Sequence, residues 1–342
     1  MRRASGSPAP LSERAIDAIL APLADAGAVL IAVSGGPDST ALLLMAASWA
    51  RRRGGRPRLE AATVDHGLRP ESADEARAVA KLCGELGVPH HILVWRGAKP
   101  KTRVQERARE ARYRLLAHCA REIGATAIVT AHHLDDQAET TLFRLLRGSG
   151  IGGLRAMAAR APRDGLALAR PLLGLPKRAL VAYCEAAGVA FVRDPANDDP
   201  HYARARLRAL MGALAAEGLD APALARLARR AGQVEEALTR QAEAAEARLG
   251  LVADGSCDAR ALTQEPIEIA ERLLAAAIAK VGGKEAGRIG LEKIEALAEG
   301  LRDAVAARRA FSANLAGARV RLAAKGRLKV EPEPPRRKPA RR

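Results

Sequence analysis

The chain has 342 residues, long enough for two domains and a substantial core, and carries 56 Lys and Arg against 39 Asp and Glu, a formal net charge of +17. Four scattered cysteines, Cys83, Cys119, Cys184 and Cys257, offer no C-x-x-C pair, no zinc spacing and no disulfide framework, which suits a reducing cytoplasm. No apolar run reaches the roughly 18 residues of a membrane span, and the basic N-terminus has no apolar core behind it, so neither a membrane anchor nor a signal peptide is expected.

The first ten residues read as disordered, and 12–23 as a helix. Residues 29–33 are short and rich in β-branched side chains, the mark of a buried strand. The strand stops at Ser34-Gly35-Gly36-Pro37-Asp38-Ser39, and an apolar helical run over 39–50 follows, its first turn near Pro37 or Asp38. Strand, glycine-rich turn and helix start together present backbone N–H groups to an anion. An ordinary strand-to-helix turn would also use Gly and Ser. The loop lacks the Gly-Lys-Ser/Thr of a Walker A loop and the third glycine of a dinucleotide fold.

Strands at 59–64, 91–94 and 127–130 then alternate with helices at 72–86, 104–123 and 135–147. Such alternation predicts an α/β fold, a doubly wound parallel sheet covered by helices on both faces. Ligands in these sheets bind beyond the carboxyl ends of the strands. The glycine loop, Asp65-His66-Gly67 and His132-His133 all fall there. Gly148 to Gly153 matches G-x-G-x-x-G by letter, but it follows a helical pattern, so it reads as a flexible loop.

After residue 208 the texture changes. Residues 209–249 read as helices, and 251–299 as largely helical with breaks at Gly255 and Gly282-Gly283. Residues 311–330 alternate with Gly at turn spacing and predict a small β element, and the Pro-rich basic stretch 331–342 predicts a disordered tail. The expected division is a first domain at 1–208, a second, mostly helical domain at 209–330 and the tail. The cationic excess is spread along the whole chain. It points to a polyanion, nucleic acid first, although Arg used for solubility would give the same total.

Asp135, Asp136 and Glu139 share one helix face. Carboxylates so placed can hold Mg²⁺, recognise an ammonium or take its proton; they can also simply favour a solvated helix start. His132 and His133 lack further metal-ligand partners and suit polar contacts to nucleotide or RNA. Arg109 and Arg112, spaced i and i+3, can reach phosphate or form a solvated basic face. Arg204, Arg206 and Arg208 alternate after Tyr202, a pattern suited to an RNA backbone.

Ser-Gly-Gly-Pro-Asp-Ser resembles the PP-loop of the ATP pyrophosphatase superfamily, the adenine nucleotide alpha-hydrolase-like fold. With Val64 to Arg69, Gln105 to Tyr113, TAHHLDDQAETTLFRLLRGSGIGGLRAM from Thr130, Arg170 to Leu173 and Phe191 to Arg208, the chain resembles the tRNA(Ile)-lysidine synthetases, densely over 28–208 and loosely beyond. The resemblance implies that Ser34, Gly35, Gly36, Pro37, Asp38 and Ser39 grip ATP, with Asp38 anchoring Mg²⁺. It implies a catalytic set of Asp38, Asp135, Asp136, Glu139, Arg112 and His133, and substrate or tRNA contacts from Arg109, Asn197, Arg204, Arg206 and Arg208. ATP would adenylate O2 of the wobble cytidine in the CAU anticodon of tRNA(Ile), and the L-lysine amine would then displace AMP from C2. Residues 209–330 would recognise the tRNA. The chain departs from the family pattern at Ala196, usually Ser, and at Ala205, usually Asn. A PP-loop cytosine thiolase would want paired cysteines, and a non-catalytic tRNA binder would not need an intact loop. The oligomeric state is left open, a homodimer included.

Overall fold

The computed structural model describes residues 11–67, 71–97, 99, 102, 104–192, 203–283, 286–323 and 325–334. The expectations at Ala196, Asn197 and Tyr202, at the side chain of Arg204 and over most of the tail lie outside the described residues. The chain divides into two compact units, one of Met1–Arg147 and Ala156–Ala228, the other of Gly148–Arg155 and Arg229–Arg342.

In the first unit, Ser12 accepts a hydrogen bond from the Ala15 N–H and caps α1 (Glu13–Leu20). β1 (Ala28–Ala32), α2 (Pro37–Arg52), β2 (Arg58–Asp65), α3 (Ser72–Leu86), β3 (His90–Val94), α4 (Val104–Glu122), β4 (Ala127–Val129) and α5 (Leu134–Leu145) follow as the alternation predicts. The alternation in β1 shows why helices cover both faces. Val29 and Ile31 join one apolar cluster with α2 residues such as Leu42, Met45 and Trp49, while Ala28 and Leu30 join another with Tyr113 and Leu116 of α4. α2 is apolar almost all round, and Ser39–Ala50 is buried save Ser48, as a central helix requires.

The strand order is β3-β2-β1-β4-β6-β5. β1 pairs in parallel with both β2 and β4, so the chain reverses its direction of winding between β1 and β4. The sheet is mostly, not wholly, parallel. β5 (Arg160–Arg163) and β6 (Leu166–Ala169) form an antiparallel hairpin, with β6 parallel to β4. Its two-residue turn, Asp164-Gly165, has φ of 50° and 77°, the primed geometry that matches strand twist. That Asp-Gly pair was the legible signal; four-residue strands, one containing Pro162, hide it.

α7 (Lys177–Ala186) packs on α2, and α8 (Ala203–Ala216) packs on α5. Leu207, Leu224, Met211 and Leu214 cluster with Ala138 and Leu142 of α5. Residues 209–228 thus belong with the first unit, beyond the expected boundary at 208, because they bury the back of the helix that carries the carboxylates.

Short α6 (Ile151–Leu154) forms within the glycine-rich stretch read as a flexible loop. α9 (Ala221–Leu249), α10 (Leu251–Asp254), β7 (Ser256–Asp258), α11 (Ala259–Gln264), α12 (Ile267–Gly282) and α13 (Leu291–Ala306) lead to β8 (Phe311–Leu315), β9 (Ala318–Leu322) and β10 (Arg327–Pro332). The last three, with β7, make an antiparallel sheet of order β7-β10-β9-β8. Its apolar face packs with Ile269, Leu273, Ala277 and Ile278 of α12. The alternation at 311–330 predicts this element but not β7, three residues lying far away in the chain, and β10 runs on to Pro332, past the expected start of a disordered tail at 331, because Glu331 and Pro332 still pair with Arg319 and Ala318.

Candidate functional site

The loops after β1 and β4 meet where the winding reverses, the place such sheets bind ligands. Val33 continues the ladder through its N–H to the Ala62 carbonyl, and the chain then turns at Gly35, whose φ is 81°. A Cβ there would lie 3.3 Å from Val79 Cγ2 and 3.5 Å from Val192 Cγ2, so glycine is favoured by space as well as by conformation. Ser39 Oγ holds the loop's shape: it accepts from the Ser34 N–H at 3.1 Å, lies 3.2 Å from Ser34 Oγ, and donates to the Gly36 carbonyl at 3.1 Å. The Gly36 carbonyl also accepts the first α2 bond, from the Thr40 N–H. The Asp38 and Ser39 amides thus sit in the first turn, where helix N–H groups lack intrahelical partners and favour anions.

His133 caps α5. Its Nε2 lies 3.5 Å from Asp38 Oδ2 and 3.5 Å from Asp136 Oδ2, and its Nδ1 lies 3.5 Å from Asp135 Oδ2. Burial resists a charge on His133, but the bonds to Asp135 and Asp38 and the nearby Asp136 outweigh it and lift the imidazole to about 10. Nδ1 is also 3.4 Å from the Asp136 N–H, a contact that needs an unprotonated nitrogen. The two roles exclude each other. Three carboxylates around one buried ring favour the imidazolium, with both nitrogens donating. Asp135 is held below the usual carboxylate range, first by its bond to His133, against burial, and then by the Lys177 N–H, which donates to its Oδ2 at 2.8 Å. Asp135 therefore also serves the first turn of α7. Asp136 Oδ2 accepts from the His133 N–H at 3.1 Å.

These groups, with Glu139, Lys177, Arg208 and Met211, line a cavity of about 360 Å³. Glu139 is buried and receives Arg208 Nε at 2.6 Å and Nη2 at 3.3 Å. Asp38 Oδ1 is buried with no hydrogen-bond partner among the described residues. Among the described residues no three His, Cys, Asp or Glu side chains form a ready-made metal cage.

The structure thus brings Ser34, Gly35, Gly36, Pro37, Asp38, Ser39, His133, Asp135, Asp136, Glu139 and Arg208 to one strand-end edge. Arg112, on the early part of α4, instead meets His66, with Nη2 3.3 Å from Nε2. Burial first, and Arg112 second, push His66 down to about 4, so the ring is neutral and accepts from the guanidinium. Arg109 lies 5.1 Å from the Tyr113 ring centre and Arg163 lies 3.9 Å from it. Arg170, buried, donates to the Ala158 carbonyl at 2.8 Å and leaves its Nε without a partner among the described residues. The sequence reading gives Arg163 no role and has Arg170 only within a stretch that carries the family resemblance, since the first lies in, and the second just after, a hairpin it does not predict. Arg206 is exposed on α8 and Ala205 is buried there.

Residues 8–214 match a family described as the PP-loop domain. A protein called tRNA(Ile)-lysidine synthase from Bradyrhizobium sp. (strain BTAi1) is 49% identical over 96% of both chains, and one of the same name from Methylobacterium nodulans is 52% identical over 95% of both. The chain belongs to the tRNA(Ile)-lysidine synthase family. A third member, from Rhodopseudomonas palustris, is 49% identical over 91% of this chain and 92% of its own. Among solved structures, the U34-tRNA thiolase NcsA from Methanococcus maripaludis shares the fold, with a TM-score of 0.53 at 17% identity over 64% of this chain and 77% of that chain. The synthase family membership, not that fold likeness, decides between the enzyme readings. Cys83, Cys119, Cys184 and Cys257 are each buried, and burial pushes each thiol up to about 11, which leaves no reactive thiolate among them.

Proposed function

We propose that this chain joins L-lysine to C2 of the wobble cytidine in the CAU anticodon of tRNA(Ile), consuming ATP and releasing AMP and pyrophosphate. The observation that carries this reading is the cavity at the reversal point, where the phosphate loop and a carboxylate cluster converge on Asp38. A carbonyl oxygen is a poor leaving group. Cytidine O2 attacks the α-phosphorus of ATP, pyrophosphate leaves, and O2 becomes part of a good leaving group. The lysine amine then forms the N–C2 bond, the C2–O2 bond breaks, AMP departs with O2, and the amine gives up a proton.

The residues divide this work. The loop of Ser34 to Ser39 binds the β- and γ-phosphates through the α2 N-terminus. Asp38 is the residue that would hold Mg²⁺, since its Oδ1 is buried and unsatisfied, and magnesium takes one or two carboxylates plus phosphate oxygens. Bound there, the ion would offset phosphate charge as pyrophosphate leaves. His133, whose imidazole is lifted well above its ordinary value by Asp135, Asp38 and Asp136, holds Asp38 and adds positive charge beside the phosphates. Asp136 supplies the negative side of the cavity for the lysine ammonium, whose ordinary pKa of about 10.4 requires a neighbouring acceptor before attack, and Glu139, paired with Arg208, fixes that arginine at the cavity wall. Asp135 positions His133 and α7. Arg112 and Arg109, with Arg206 and Arg208 on α8, suit contacts to nucleotide or RNA phosphates, and the second unit supplies the recognition of the tRNA body.

The test is incubation with ATP, labelled lysine and tRNA transcripts that differ only at the wobble base. Label should enter the wobble-cytidine transcript alone, with one AMP formed for each lysine. Label in the transcripts with another wobble base, or none in any, would defeat the reading.

A further inference from the structure

The sheet of the second unit has two unlike faces. Along β8, β9 and β10 the residues Ala313, Leu315, Ala318, Val320, Leu322, Leu328 and Val330 point to the α12 core. The alternate positions are polar and face outward. One outward row runs across all four strands as Ser312, Arg321, Lys329 and Ser256. Arg321 and Lys329 are directly opposed and exposed. Residues so opposed in an antiparallel pair stand about 4.5–5.5 Å apart, and like charges there destabilise a sheet. Neither has an ion pair among the described residues. Lys325, also exposed, adds a third cation at the β9–β10 turn.

Neighbouring positions show the arrangement a sheet adopts for its own sake. Arg319 is opposed to Glu331 and pairs with it through Nε at 2.9 Å. Asp258, opposed to Arg327, has its carboxylate taken by the Arg260 and Ala261 N–H groups of α11, and Arg327 turns to Ser256 Oγ at 2.9 Å. The Arg321–Lys329 pair therefore stands as an uncompensated cationic step flanked by serine hydroxyls. Arginine, lysine and serine are the side chains that contact phosphate oxygens.

We propose that this face, centred on Arg321 and Lys329, binds the phosphate backbone of a base-paired stem of the substrate RNA. The proposal rests on the reading above that the substrate is a tRNA. None of the outward side chains is aromatic, so the face has nothing on which unpaired bases could stack. A-form stems are recognised through shape and backbone, which charge and hydroxyl donors suffice to read.

The experiment uses the full chain with Arg321→Ala and Lys329→Ala together, and as its control the charge-balanced pair Arg319→Ala and Glu331→Ala. Binding of a tRNA(Ile) transcript is measured across a salt series, beside lysidine formation at saturating tRNA. The test variant should bind about tenfold more weakly or worse, with a log–log salt slope shallower by about 2, while its turnover at saturation and its melting profile stay as in the wild type. The control should bind within about twofold of the wild type. Unchanged affinity and slope in the test variant, or an equal loss in the control, overturns the proposal. If the wild type forms no lysidine yet the test variant loses affinity and slope, the surface stands and the reaction reading falls.

Discussion

His133 makes a prediction whose sign and size follow from the structure. The ring is 4% exposed, and three carboxylates stand 3.5 Å away. Its pKa in the folded chain is raised to about 10 from an ordinary 6.5. Between those two values the native state holds one proton that the unfolded state has released. Unfolding free energy must then fall as pH rises, by about 1.4 kcal/mol per pH unit from this group. The stabilisation is complete below pH 6.5 and is lost as pH passes through about 10. Over the whole interval it amounts to at most roughly 5 kcal/mol. Both tryptophans, Trp49 and Trp95, lie in the first unit, so their fluorescence in urea reports that unit alone. Other groups titrate near the top of the range, but they cancel in the difference between wild type and His133→Gln. That difference should shrink steadily from pH 7 to 9.5. Parallel profiles, or a His133 ring resonance in NMR that titrates near 6.5, would refute the reasoning.

Two further outcomes are expected. Asp38→Asn should cut pyrophosphate release at least a hundredfold, about 2.7 kcal/mol of barrier, while the chain stays folded and binds tRNA; a loss under tenfold would remove Asp38 from the centre of the chemistry. Arg208→Ala should destabilise the first unit by about 2 kcal/mol, because it strands a buried Glu139 and its own side chain is only 35% exposed, whereas Glu139→Gln should cost about 1 kcal/mol; equal costs in urea titrations would show that the pair is solvated.

Much of the first unit was legible because its signals are local. A five-residue apolar strand, two glycines and an acid before an apolar run leave few geometries, and Asp135, Asp136 and Glu139 share a face by helix spacing alone. What escaped is non-local. Nothing near Glu139 announces that Arg208, 69 residues on, occupies its carboxylate. Nothing near Asp135 shows that it receives the Lys177 N–H, 42 residues away. The expected domain boundary followed a change of composition at residue 208. Packing followed the apolar stripe of α8 and the start of α9 instead, and ignored the texture.

The way the chain threads its two units bears on how this protein can be cut. Gly148–Arg155 counts with the second unit, while the chain on either side of it counts with the first. No single scissor point separates them. A truncation at 208 would strip Met211, Leu214 and Leu224 from beneath Ala138 and Leu142, baring the underside of α5. A fragment meant to keep the ATP chemistry must run to Ala228 and bridge Arg147 to Ala156 with a short linker. By the same logic, the second unit is built from two separate stretches of chain and cannot be removed by one cut.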